Sequence, residues 1–222
     1  FNKVPSAGYT LMPKVFWCWD YISAKVIKEW TSKQQYHQVI VGGNPWTQYA
    51  LTKTSEYKFP NKKIILLTLQ FSFLESYIIE AIRKTPDEYQ WWLRAHPRKK
   101  QEFKNVENQL TRENLLHKVN MKDATEWPLP ILLSKSCIHI SMFSGSIIEA
   151  AQLGTPNLII DEIGVKSYSE LIKADKAVAC LGKDAHLLLQ HIITASKSAL
   201  QENIPNPSFH NAVKSIDSNE NL

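Results

Sequence analysis

Apolar, β-branched runs alternate along the chain with longer amphipathic stretches. That alternation predicts βαβ units and a parallel sheet covered on both faces. Strands are expected near 38–42, 63–69, 89–95, 117–121, 137–141, 157–161 and 177–181. Helices are expected at 20–31, 74–84, 99–113, 128–136, 146–153, 167–174 and 184–198. The helix at 146–153 carries the fullest local signal: Ser144-Gly145-Ser146 supplies a cap at its start, Gly154 stops it, and Pro156 follows. Gly42-Gly43-Asn44-Pro45 predicts a turn after the strand at 38–42. The expected organisation is an N-terminal appendage or interdomain segment at 1–37, a Rossmann-like domain at 38–200, and a polar tail or docking helix at 201–222. The aromatic run Phe16-Trp17-Cys18-Trp19, followed by Asp20, reads as an interdomain helix or part of a cleft wall. The fold class is therefore α/β, a doubly wound parallel sheet.

Composition narrows the classes. A length of 222 residues suits one large α/β domain with an appendage. With 44% apolar and 21% charged residues, the chain is neither disordered nor collagenous nor disulfide-dense. The longest apolar stretch, Ile64 to Leu74, is broken by Thr68, Gln70 and Ser72 and falls short of the ~20 residues that cross a bilayer. Phe1 to Tyr9 has no signal-peptide pattern and no Met, so the expectation is a chain that begins within a longer protein. Cys18, Cys137 and Cys180 are far apart in apolar surroundings, as reduced core thiols of a cytoplasmic protein are. The net charge of +5 is unevenly placed: Arg94, Arg98, Lys99, Lys100 and Lys104 against Glu102 leave +4 between positions 94 and 104.

A doubly wound sheet binds ligands beyond the carboxyl ends of its strands. Three of those ends are polar: Thr68-Leu69-Gln70, Arg94-Ala95-His96-Pro97-Arg98 and Ser141 to Ser146. Arg94, His96 and Arg98 alternate, and so share one side while the strand persists; Pro97 ends the ladder. Guanidinium and imidazole groups suit a phosphate. Ser144-Gly145-Ser146 adds hydroxyls and backbone N–H groups at a helix start, a second anion-binding element. Together they predict one nucleotide-phosphate pocket. Glu149, three residues beyond Ser146, either binds a ribose hydroxyl or completes a capping box with Ser146. Adjacent Trp91 and Trp92 face opposite sides of their strand and read as packing residues, and His139 as a satisfied core histidine. Asp161-Glu162-Ile163-Gly164 is either a loop reaching the ligand or a solvated one. No metal-ligand spacing, D-x-D, G-x-G-x-x-G, P-loop, G-x-S-x-G or H-E-x-x-H is present. The expectation is that protein groups neutralise the phosphate, with no metal and no cofactor.

Trp91 to Arg98, Pro128 to Leu133 and Met142 to Pro156 together resemble the C-terminal donor-binding domain of a GT-B glycosyltransferase, over roughly residues 38–198. The His-Pro pair and the serine-containing turn are similar to those of bacterial sialyltransferases and 3-deoxy-manno-octulosonic acid transferases, which use CMP-sugars. The resemblance implies that His96 and the serines Ser144 and Ser146 contact the donor phosphate, and that Glu149 holds the ribose. Gln70, Arg94, Pro97, Arg98 and Gly145 complete the expected donor site. Gly145 separates two serines that stand adjacent in the sialyltransferases. The general base is expected from a missing N-terminal acceptor domain, because no Asp/Glu-Asp/Glu-Gly precedes His96. The implied partners are a nucleotide sugar, CMP-linked by preference, and a bacterial glycan or glycolipid acceptor such as lipopolysaccharide or capsule. The implied location is cytoplasm, at the periphery of the inner membrane. Two alternatives are a GT-B nucleotide-sugar epimerase and a nucleic-acid or polyanion-binding module built on the 94–104 segment.

Overall fold

Each apolar run anticipated as a strand forms one in a computed structural model, which describes residues 13–31, 38–96 and 100–198. Six of them build the main sheet: β3 (Lys63–Thr68), β4 (Tyr89–Arg94), β5 (Val119–Asn120), β6 (Ser136–Ser141), β7 (Asn157–Ile159) and β8 (Val178–Ala179). Two four-residue strands, β1 (Val15–Cys18) and β2 (Gln38–Val41), precede them in the chain. The six-stranded order is β5-β4-β3-β6-β7-β8, and every pairing is parallel. Central β3 is buried from Ile64 to Thr68, which is why its sequence is a continuous apolar run and not an alternating one.

Both faces of the sheet are covered. On one, β-strand residues Ile65, Leu67, Trp91, Leu93, Ile138 and Ile140 pack with α3 (Ser76–Lys84), α4 (Lys100–Arg112) and α10 (Ala185–Ser198). On the other, Ile64, Leu66 and Trp92 pack with α5 (Lys122–Glu126), α6 (Leu129–Lys135) and α7 (Ser146–Gln152). Trp91 and Trp92 therefore go to opposite cores, as their adjacency on a strand requires, and both are essentially inaccessible. Trp92 lies 5.2 Å from Trp127 and 6.0 Å from Phe59, ring centre to ring centre, in an aromatic cluster below α6.

The helix anticipated at 146–153 ends as its sequence dictates. Thr155 N donates to Ala150 O at 3.0 Å and Gly154 N to Ala151 O at 3.5 Å, with Gly154 at φ 70°. This is a Schellman stop, and only glycine takes that backbone angle without strain. The stretch Asp161 to Gly164 is not a loop. Asp161 Oδ1 accepts from Ile163 N at 2.8 Å and caps α8 (Glu162–Ser167), after which α9 (Ser169–Lys173) follows.

The chain divides into two compact units between Tyr49 and Ala50. In the first, β1 and β2 form a separate two-stranded parallel sheet joined by α1 (Tyr21–Thr31). The run at 16–19, expected as a helix or cleft wall, is thus a strand: Phe16 and Trp17 suit a pleated surface, and Asp20 ends it by capping α1 through its bond from Ser23 N at 2.7 Å. The strand anticipated at 38–42 pairs with β1, in this smaller sheet. Gly42 is required there, since a Cβ at that position would stand 1.9 Å from the Trp17 ring. Asn44 Oδ1 accepts from Trp46 N at 3.1 Å at the start of α2 (Pro45–Thr52), a helix the turn signal at 42–45 hid. The expected tail at 201–222 lies outside the described residues.

Candidate functional site

Read outward from β3, the sheet order makes β3 and β6 the pair at which successive connections turn to opposite sides. Such a switch point opens a crevice at the carboxyl ends of its two strands. Thr68 and Ser141 are register partners at those ends, so the crevice is bounded by Leu69-Gln70 on one side and by Met142 to Ser146 on the other.

Beneath the crevice lies a buried polar cluster from three strands and a helix. Asn157 Nδ2 donates to Ile147 O at 2.7 Å, which fixes the amide so that its Oδ1 accepts from His139 Nδ1 at 2.8 Å. His139 therefore carries its proton on Nδ1 and turns a lone pair, at Nε2, toward the hydroxyls of Ser146 and Thr68, each 3.2 Å away. Thr68 donates to Ser141 Oγ at 2.9 Å, leaving Ser146 to donate to His139. Complete burial disfavours the imidazolium and pushes the His139 pKa down to about 4. Ser146 is consequently an inward anchor of α7 and not its capping residue, and the capping-box reading of Glu149 loses its partner.

Above the cluster, the turn is pinned without being closed. Gln70 Oε1 accepts from Met142 N at 3.0 Å and from Phe143 N at 3.1 Å, tying the β3 end to the β6 end. Ser144 N donates to Ser141 Oγ at 3.4 Å, and Ser146 N to Ser144 Oγ at 3.3 Å. Gly145 is exposed, and a Cβ added there would meet nothing within 4 Å. The N–H of Gly145 has no partner among the described residues.

Arg94 and Glu149 sit beside this turn on the α6/α7 face. Arg94 Nη1 donates to Ala124 O at 2.6 Å and to Trp127 O at 2.7 Å, bracing the segment between α5 and α6. Burial lowers the Arg94 pKa and raises that of Glu149, while each group's charge opposes the shift of the other. Replacing Arg94 by Met, which removes the donor and leaves both carbonyls without it, is expected to cost about 1–3 kcal/mol in urea unfolding, whether or not a ligand is added.

The sequence-derived candidates thus separate. Gln70, Ser144, Gly145 and Ser146 come together at the switch point, with Arg94 and Glu149 electrostatically coupled alongside. His96 is exposed at a cavity of about 790 Å³ between α4 and α5, whose lining includes Phe103, Met121, Thr125 and Glu126. Pro97 and Arg98 lie outside the described residues. Among the described residues, no group of three or more His, Cys, Asp or Glu could hold a metal ion, and no helix is long and apolar enough to cross a membrane. Sequence reasoning missed Thr68, Ser146 and Asn157 as partners of His139, and Ser141 as the acceptor for Thr68. The available signal was polar residues at inward positions of otherwise apolar strands.

No protein-family model matches the chain, and no curated protein matches it. Solved structures do. A UDP-GlcNAc 2-epimerase from Neisseria meningitidis, bound to UDP-GlcNAc, is 22% identical with a TM-score of 0.59, over 92% of this chain and 60% of that one. A second UDP-N-acetylglucosamine 2-epimerase is 18% identical with a TM-score of 0.58, over 91% and 56%. The wall teichoic acid polymerase TagF is 11% identical with a TM-score of 0.55, over 84% and 51%. The chain spans about 60% or less of the length of these proteins. Sheet order, flanking helices and these likenesses agree: the fold is the Rossmann-like doubly wound sheet of one half of a GT-B fold.

Proposed function

We propose that this chain is the donor half of a metal-independent GT-B glycosyltransferase and holds a nucleotide sugar at the crevice between β3 and β6. The observation that carries the reading is the pinned turn from Ser141 to Ser146, open above Gly145 and placed at the switch point beside a half-buried carboxylate. A phosphate over Gly145 would meet the Gly145 N–H and the Ser144 hydroxyl, and Glu149 would accept a ribose hydroxyl on the α6/α7 face. His96 lines the cavity between α4 and α5 at the end of β4, and would stabilise charge on the departing phosphate only if the bound donor reaches that cavity. An acceptor domain outside this chain supplies the general base and presents a bacterial glycan or glycolipid. The donor itself serves as substrate, and no cofactor takes part.

The His-Pro and serine motifs favour a CMP-sugar. The likeness to two UDP-GlcNAc 2-epimerases favours a UDP-sugar and is the reason to keep an epimerase as the second reading. A thermal-shift panel with CMP, UDP, GDP and ADP separates the nucleotides: at ~100 Kd the cognate one adds about 2.7 kcal/mol of stability. Product analysis with the full-length enzyme then separates transfer from epimerisation. A flat response to all four overturns the nucleotide reading. Glu149→Ala is expected to weaken binding of the responding nucleotide at least tenfold in calorimetry. The unliganded melting temperature should stay within a few degrees, because no capping bond is lost.

A further inference from the structure

We infer that Phe71 and Phe73 form a stacking platform for the sugar ring of the nucleotide sugar, an inference that rests on the reading above. Both follow directly on β3 at the crevice, and both are unusually open for phenylalanine, at 42% and 56% exposure. Their rings lie nearly parallel, 18° apart with centres 6.1 Å apart, and Phe143 meets Phe71 edge-on at 6.1 Å.

These aromatics are exposed on a segment that is held at both ends. Leu69 N donates to Arg94 O at 2.8 Å, and Gln70 ties the segment to Met142 and Phe143. The Gln109 amide takes both backbone groups of Leu74, donor and acceptor, at 2.8 Å each, and Glu75 pairs with Lys183 at 2.9 Å. A pinned loop that presents two rings to solvent leaves apolar area open in a fixed geometry, which marks a contact surface.

The path of the ligand identifies what that surface meets. Glu149 and Arg94 lie on the α6/α7 face, so a ribose held there places the nucleoside on that side. The phosphate lies over Gly145. Phe143 packs against the core of the opposite face, the one covered by α3 and α10. The part of the ligand beyond the phosphate therefore emerges toward Phe143, Phe71 and Phe73, and in a nucleotide sugar that part is the sugar. A pyranose carries a C–H face whose partial positive charge complements the negative face of an aromatic ring. The platform favours a sugar with a continuous C–H face or an added methyl, such as an N-acetyl or 6-deoxy sugar.

The test compares each bare nucleotide with its sugar conjugate on the 222-residue chain by calorimetry, using UDP against UDP-GlcNAc and CMP against CMP-N-acetylneuraminic acid. The quantity read is the ratio of the two Kd values within a pair. In the double variant Phe71→Ala, Phe73→Ala this ratio is expected to fall at least fivefold, while the Kd of the bare nucleotide changes less than twofold. Phe71→Leu with Phe73→Leu keeps apolar area without rings and should recover only part of the ratio. Unchanged melting temperatures identify folded variants, as expected for exposed side chains. An unaltered ratio overturns the platform and leaves the two rings as a surface for a protein partner. Equal weakening of nucleotide and conjugate overturns it too, as does a wild-type chain that binds nucleotide with no preference for the conjugate. A wild-type chain that binds neither nucleotide overturns the nucleotide reading, and the platform with it.

Discussion

Between pH 7 and pH 5 the chain is expected to lose about 2 kcal/mol of stability through His139 alone. The imidazole is buried and neutral, with its pKa pushed down to about 4 against an ordinary 6.5. In the unfolded chain it takes up a proton as pH falls through 6.5, whereas the folded chain resists until about 4. The unfolded state thus binds more protons across that window. Stability is complete above it, declines as pH falls, and is lost in full below about 4. The other histidines are shared by wild type and a His139→Gln variant, so the difference between their urea midpoints isolates this residue. The variant should show a flatter profile from pH 7 to pH 5. It should also be about 1–3 kcal/mol less stable at pH 7, because Gln cannot replace both the bond to Asn157 and the acceptor offered to Ser146. Parallel pH profiles for the two proteins would exclude a neutral, anchoring His139.

The contrast between what the sequence made legible and what it hid follows from range. Strand β3 is a continuous apolar run, β4 and β6 are largely apolar, and the stop of α7 is written in Gly154 and Pro156; these are local signals, and the elements formed where they were expected. The short helices α2, α5 and α8 were not anticipated, because 5 to 8 residues carry too little periodicity to rise above turn chemistry. β1 was hidden for a different reason: its aromatic run is a strand because β2 lies beside it, a pairing more than twenty residues away. At the site, polar strand ends and the Ser144 to Ser146 turn were readable one by one. Their arrangement was not. That Gln70 would clamp the turn depends on a strand order that places β6 beside β3 across more than sixty residues of chain, and that Arg94 would brace α5 and α6 depends on bonds to carbonyls 30 and 33 residues further on. The same order separates His96 from Ser144, although both belong to motifs that read as one pocket.

Two glycines, Gly145 at the start of α7 and Gly164 within α8, should behave in opposite ways when each is changed to alanine. At Gly164, in α8, a Cβ would stand 1.8 Å from the Met142 carbonyl oxygen and 2.7 Å from Ile159 Cγ2. Neither neighbour is a flexible chain end: Met142 N is held by Gln70, and Ile159 is in β7. Either α8 lifts away or the Met142-Phe143 segment shifts and strains its bonds to Gln70. Overpacking of this kind costs about 1–3 kcal/mol, against which alanine's better helix propensity returns under 1 kcal/mol. Gly164→Ala should therefore lower the urea midpoint clearly, and also weaken nucleotide binding, since it displaces the turn. Gly145 has an ordinary helical φ of −58° and open space where its Cβ would go. Gly145→Ala should leave stability unchanged or raise it by about 0.4–1 kcal/mol through the unfolded chain. Its methyl, however, occupies the position assigned to the phosphate, and nucleotide affinity should fall at least tenfold. Loss of affinity without loss of stability at Gly145, beside loss of both at Gly164, separates the surface that meets the ligand from the packing that holds it in place. Normal nucleotide affinity in Gly145→Ala would move the phosphate away from this turn, toward the cavity beside His96.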